Sequence, residues 1–196
     1  MKTEIAGPPG DTGFFKAEGG FAFHSPLSNL FKNTSTSGLA LHTSFHGGVM
    51  KTLNYGGLCN TSSCISDRFF AGGPLLLRGF QPAGIGPRAN SGGRSVPGGD
   101  ALGGEVYYTT NVALSIPSPI FSDIGVRWFG FVNAGTLSGY GIPVGTLMKS
   151  TRMSVGGGAC FASPFGRVEA TYAVPLRYGP KDARKSFQFG FGFSFN

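Results

Sequence analysis

The sequence predicts an all-β protein, an antiparallel meander of long strands interrupted by one long insert. Three observations carry that expectation. Residue character alternates with period two along most of the chain and almost nowhere recurs at the three-and-four spacing of a helix. Glycine (34 of 196 residues) and proline (13) punctuate the chain every few residues, phenylalanine is abundant (19), and only 13% of residues are charged. The alternating runs are about 10 residues long, the length of a tilted strand that spans a bilayer, whereas strands in soluble sheets average about 5–6. There is no run of 18 apolar residues that would make a membrane helix, and the opening MKTEIAGPPGDTG has no apolar segment of the kind a secretory signal needs.

The elements follow in order. Residues 1–6 are a short stub. Residues 15–24 place Phe15, Ala17, Gly19, Phe21 and Phe23 on one face and Lys16, Glu18, Gly20, Ala22 and His24 on the other. Residues 39–49 set Leu39, Leu41, Thr43, Phe45 and Val49 against Ala40, His42, Ser44, His46 and Gly48. A long insert, 50–104, has no alternation. Residues 105–116 then oppose Val106, Tyr108, Val112, Leu114 and Ile116 to Glu105, Tyr107, Thr109, Asn111 and Ser115. In 125–136, Val126, Trp128 and Val132 face Arg127, Phe129, Phe131 and Asn133, so this strand is apolar on both sides. Residues 152–161 are rich in glycine, which lets a strand bend or another backbone approach. Residues 167–175 alternate Val168, Ala170, Tyr172 and Val174 with Arg167, Glu169, Thr171 and Ala173. The last run, 187–196, is the clearest: five phenylalanines (187, 189, 191, 193, 195) alternate with Gln188, Gly190, Gly192, Ser194 and Asn196.

That makes seven strands besides the stub, each with one apolar face. Alternation alone does not say whether that face meets lipid or a soluble core. Two features favour lipid. Aromatic residues gather at strand ends and on the apolar face. The connections 50–104, 137–151 and 176–186 are longer than 117–124 and 162–166, as in barrels with loops on one side and turns on the other.

Other function classes find little support. The net charge of +7 comes from scattered residues, with only Lys181, Arg184 and Lys185 close together, so no nucleic-acid partner is expected. Cys59 and Cys64 share the loop LCNTSSC and have the reach to bridge, although free thiols, with Cys160 in a strand, are the expected state; no four-ligand zinc spacing exists. His42 and His46 share a strand face but stand roughly 13 Å apart at about 3.3 Å per residue, too far to bind one metal. The run GIGPRA at 84–89 fits a dinucleotide fingerprint only formally, because it neither follows a strand nor opens a helix. No nucleophile or metalloprotease motif is present, and neither catalysis nor a cofactor is expected.

Four motifs then occur in one order. Asp67–Phe80 reads DRFFAGGPLLLRGF and ends in Leu77-Arg78-Gly79-Phe80. Gly103-Gly104-Glu105 opens the next strand, Phe131–Gly135 reads FVNAG, and Gln188–Phe195 reads QFGFGFSF. This set resembles BamA-like outer-membrane assembly barrels, the bacterial surface antigen family, over essentially the whole chain. It is most similar to the barrel subunit of the mitochondrial sorting and assembly machinery.

The resemblance implies a sixteen-stranded transmembrane barrel preceded by a POTRA domain. Residues 1–196 would be its C-terminal seven or so strands, with no POTRA domain in this chain and the sixth loop between the second and third strands. It implies a factor that folds and inserts β-barrel precursors into the mitochondrial outer membrane, with a plastid or bacterial outer membrane as alternatives. Its partners would be precursor proteins, other machinery subunits and the bilayer. A protein-translocating pore or two-partner secretion relative is the alternative reading. Within the motifs, Arg78, Gly79 and Phe80 would form the loop tip. The family's aspartate partner for the arginine is replaced here by Asn133, which makes Glu105 and Glu169 further candidates. Gln188, Gly190, Phe193 and Phe195 would form the β-signal of the last strand.

Overall fold

The computed structural model describes residues 1–7, 12–27, 38–53, 63–89, 99–119, 125–163 and 166–193. They form one antiparallel sheet of eight strands in sequence order, with no crossover. The strands are β1 (Lys2–Ala6), β2 (Phe14–Pro26), β3 (Ala40–Thr52), β4 (Val106–Pro117), β5 (Val126–Ser138), β6 (Arg152–Ser163), β7 (Gly166–Arg177) and β8 (Phe187–Phe193). The stub at the start is a paired strand, with Lys2 opposite Glu18 and Ala6 opposite Phe14. A short helix, α1 (Val144–Lys149), lies in the β5–β6 connection.

The pleat assigns the two faces. Phe21, Phe45, Leu114, Trp128, Val174 and Phe189 all project from the outer face and are exposed. The inner face carries Thr109, Ser115, Asn133, Ser154, Glu169, Thr171 and Gln188, all buried. The apolar side of the sheet therefore faces outward, opposite to a soluble barrel whose apolar face forms its core. An exposed apolar face this extensive is not left in water, whereas it is what a membrane wall presents to lipid. Cross-strand pairs reinforce the wall: Phe21 and Phe45 are opposite in register and stack with ring centroids 5.7 Å apart. Phe129 and Phe131 point inward.

The inner face is covered by the insert between β3 and β4. Phe69, Ala71, Leu77, Phe80 and Ile85 of the insert join Phe14, Met50 and Leu137 of the wall in one buried cluster. Burying each large apolar side chain contributes about 1.5–3 kcal/mol. The insert closes on itself where Phe69 and Gly104 exchange backbone hydrogen bonds of 2.8 and 2.9 Å. The alternation of connection lengths has one exception: β2 and β3 are joined by 27–39, on the side of the short turns.

β1 and β8 each have a neighbour on one side only among the described residues. In hydrocarbon, unpaired backbone groups at such edges must find partners, which only further strands supply.

Candidate functional site: the tip of the lumenal insert

The site is built where the insert reaches the inner wall of β4–β8. Gly79 sits at φ +90°, a conformation that side chains with a Cβ rarely adopt, and this turns the chain sharply at the tip. A Cβ there would lie 3.1 Å from Ser154 Cβ and 3.3 Å from Ala173 Cβ, so the wall would have to give by a few tenths of an ångström to admit it. Gly79→Ala is expected to cost about 1–3 kcal/mol, read as a lower thermal midpoint with unchanged strand content.

Turning the chain at Gly79 aims Arg78 at β7. Arg78 Nε donates to Glu169 Oε1 at 3.0 Å, and its Nη2 donates to Oε1 and Oε2 at 2.8 and 3.0 Å. Nη1 donates to Asn111 Oδ1 at 3.3 Å. The guanidinium also lies over the rings of Phe131 and Phe129, 5.0 and 5.5 Å from their centroids. Both inward-facing rings of β5 thus take part in holding a cation. Arg167 Nη2 approaches Glu169 Oε2 at 3.2 Å, so the carboxylate lies between two guanidinium groups. Charge-assisted forks of this kind fix direction as well as distance.

Neither other proposed partner bonds the guanidinium. Glu105 sits at the opening of β4, where it accepts from Ser63 Oγ (2.5 Å) and the Tyr140 backbone N–H (2.8 Å). Arg78 reaches the level of Asn111, six residues further along, which is about 20 Å away on an extended strand. Asn133 supports the main chain of Arg78 instead. Ser154 Oγ lies 2.5 Å from the Arg78 carbonyl oxygen and 2.6 Å from Asn133 Oδ1, while Asn133 Nδ2 is buried without a partner. One hydroxyl proton serves one acceptor. With the carboxamide turned over, Asn133 donates to Ser154 and Ser154 donates to Arg78, which gives the one hydroxyl proton one acceptor and leaves the carboxamide oxygen, rather than an N–H group, as the unbonded atom. An ionised aspartate at 133 would only accept. The asparagine therefore fits a site in which the counter-charge has moved to Glu169.

The polar position of the last strand completes the site. Gln188 Oε1 accepts the Gly79 backbone N–H at 2.9 Å, and its Nε2 donates to the Phe80 carbonyl at 2.7 Å. One side chain therefore satisfies two backbone groups of the tip, as a neighbouring strand would. Gly190 is needed for a different contact: a Cβ there would lie 3.0 Å from Glu169 Cγ and 3.2 Å from Pro74 Cβ of the insert. The side chain of Phe193 and all of Phe195 lie outside the described residues, as does Cys59; Cys64 and Cys160 are free thiols.

Sequence reasoning missed the role of the β7–β8 connection. Gln81 N–H donates to the Ala183 carbonyl (2.9 Å), Ala183 N–H to Gly84 (2.8 Å) and Lys185 N–H to Gly79 (3.0 Å). This connection is itself pinned by Asp182, which takes a two-pronged ion pair from Arg152 at 3.0 and 3.1 Å. Backbone pairing leaves no residue-type signal. Asn111 was visible only as a position on the polar face of its strand, and Ser154 lay unmarked in a run read only as rich in glycine.

Below the tip, a cavity of about 330 Å³ is lined by His24, His42, Arg78, Arg127, Arg167 and Glu169, among others. His24 and His42 face each other across β2–β3 with Nδ1 atoms 2.6 Å apart, and His42 Nε2 reaches Ser115 Oγ at 2.8 Å.

The model of the Omp85 superfamily domain matches residues 1–195. The chain belongs to the Omp85 superfamily. Among its relatives in that superfamily, a SAM50-like protein of Schizosaccharomyces pombe is 31% identical over 194 residues, 95% of this chain and 37% of that protein. Sorting and assembly machinery component 50 homolog A of Xenopus laevis is 31% identical over 210 residues, all of this chain and 40% of that protein. The crystal structure of BamA from Haemophilus ducreyi lacking POTRA domains 1–3 superposes with a TM-score of 0.73 at 24% identity, over 94% of this chain and 36% of that one. The chain thus spans about two fifths of the length of these relatives, and its open sheet is a fragment of an Omp85 barrel. It is an outer-membrane β-barrel segment of the mitochondrial branch.

Proposed function

We propose that this chain is the C-terminal barrel segment of a non-enzymatic assembly factor that folds and inserts β-barrel precursors into the mitochondrial outer membrane. Its partners would be those precursors and other subunits of a sorting and assembly machinery. One observation carries the reading. The insert tip is fixed to β6, β7 and β8 at once, and β8 is a terminal strand whose other edge has no neighbour among the described residues.

The mechanism follows from backbone chemistry. An unpaired strand edge in lipid is costly, and an incoming precursor strand relieves that cost by adding to it. Gln188, Gly190 and Phe193 face different tasks on that strand: Gln188 grips the insert, Gly190 leaves room for Pro74, and Phe193, with Phe195, belongs to the terminal β-signal pattern. The insert keeps the inner side of β8 ordered, which leaves the edge as the part free to exchange partners.

The test is Arg78→Ala in the full-length protein. Assembly of newly imported β-barrel precursors is expected to fall several-fold while the variant remains in the membrane. Undiminished assembly would remove the insert tip from the mechanism. Ion conductance through the purified protein without precursor binding would favour the pore reading instead, against which stands the filling of the inner face by Leu77, Phe80 and Ile85.

A further inference from the structure

The rim formed by α1 and the β7–β8 connection carries an unbalanced exposed charge. Lys149, Arg177, Arg184 and Lys185 are all exposed. The only acidic residue in residues 139–151 and 177–187 is Asp182, which is buried and engaged by Arg152 and by the Gly179 N–H at 2.5 Å. The two segments are joined, since Arg177 Nη2 donates to the Lys149 carbonyl. Arg184 lies over the Tyr178 ring at 4.3 Å, with its charge at the edge of the aromatic surface.

Directly along the strands from these cations runs the outward apolar wall, with Val174, Leu176, Tyr178, Phe187 and Phe189 exposed. The apolar residues of α1 are exposed too: Val144 is 72% and Met148 63% accessible. At the opposite end of β5 and β7, Arg127 and Arg167 line the inner cavity rather than the outside. The exposed cations therefore border the lipid-facing belt at one end of these strands.

We propose that this rim is a docking surface for anionic phospholipid headgroups, with Val144 and Met148 lying in the interfacial layer. The occupant follows from charge complementarity and from continuity with the apolar wall. Lysine and arginine at a membrane surface attract anionic headgroups over about one Debye length, and a short helix showing apolar residues beside them adds burial at the same depth. An acidic protein segment would satisfy the charge but would leave Val144, Met148, Leu176 and Phe187 without a common partner.

The experiment uses the full-length protein in mild zwitterionic detergent, with bound lipid counted by native mass spectrometry during titration with phosphatidylglycerol or phosphatidylcholine. The variant replaces Lys149, Arg184 and Lys185 by glutamine; all three are exposed, and Arg177 keeps its bond to α1. Phosphatidylglycerol is expected to bind at least about ten-fold more tightly than phosphatidylcholine, with the preference shrinking in salt and falling to within about two-fold in the variant. Equal binding of the two lipids overturns the proposal. So does a preference that survives in the variant, or retention of an acidic peptide in place of lipid. If the variant fails to fold, loss of the wild-type preference at about 0.5 M salt gives the same decision, because exposed charges are then screened.

Discussion

Replacing Glu169 by alanine is expected to destabilise the folded barrel by about 3 kcal/mol, the low end of the cost of removing one partner from a buried ion pair. The side chain of Glu169 is 2% exposed and that of Arg78 11%. Without the carboxylate, Arg78 loses three hydrogen bonds and keeps only Asn111 and the two phenylalanine rings. Two cations, Arg78 and Arg167, then share a pocket with no counter-ion in contact among the described residues. The adjoining cavity admits water, which holds the loss to the low end. Glu169→Gln should cost less, because it retains an acceptor oxygen. Joint replacement of Arg78 and Glu169 by leucine should cost less than Glu169→Ala alone, since it leaves no stranded charge. The urea midpoint of the full-length protein in micelles measures all three. Equal midpoints for Glu169→Ala and wild type would show that the pair does not brace the insert.

This ion pair also shows where sequence reading stops. The alternation of 167–175 placed Glu169 on the same face as Arg167 and Thr171, and the structure has that face turned inward. The RGF tip stood out because Arg78, Gly79 and Phe80 are three chemically different residues in a stretch without alternation. Which acid met the arginine was not legible. Glu105 and Glu169 are equally inward in pattern, and they are separated only by depth along the barrel, which depends on how far the insert descends. The inward Phe129 and Phe131 made their strand look ambiguous. Their apolarity answers to a guanidinium lying over them, a contact between segments about 50 residues apart in sequence. The pinning of the insert by residues 179–185 left no trace in residue type, because it runs through main-chain groups.

Gln188→Ala is expected to loosen the insert tip with a cost of about 1–3 kcal/mol, the cost of leaving one buried backbone group without a partner. The Phe80 carbonyl keeps the Gly73 N–H at 2.9 Å, so the Gly79 N–H is the group left most exposed to the loss. Three variants separate the contributions. Gln188→Glu keeps the acceptor for Gly79 but turns a carboxylate toward the Phe80 carbonyl, so it should be at least as damaging as alanine. Gln188→Asn has both functional groups on an arm one methylene shorter and should restore little. A substitution on the outer face of the same strand, Phe189→Leu, should leave the tip unaffected, since that ring projects away from the insert and is 59% exposed. Hydrogen exchange at the Gly79 amide distinguishes the clamp from a general effect of the last strand. The Gln188 variants should accelerate it while the amides of β7 keep their protection. If all amides of β7 and β8 accelerate together, Gln188 acts as an ordinary wall residue and not as the grip on the tip. If Gly79 alone responds, the polar position of the terminal strand and the tip of the insert form one mechanical unit. Exchange of β8 onto a new partner would then be felt directly at Arg78, which is joined to that strand by a single peptide unit and one glutamine side chain.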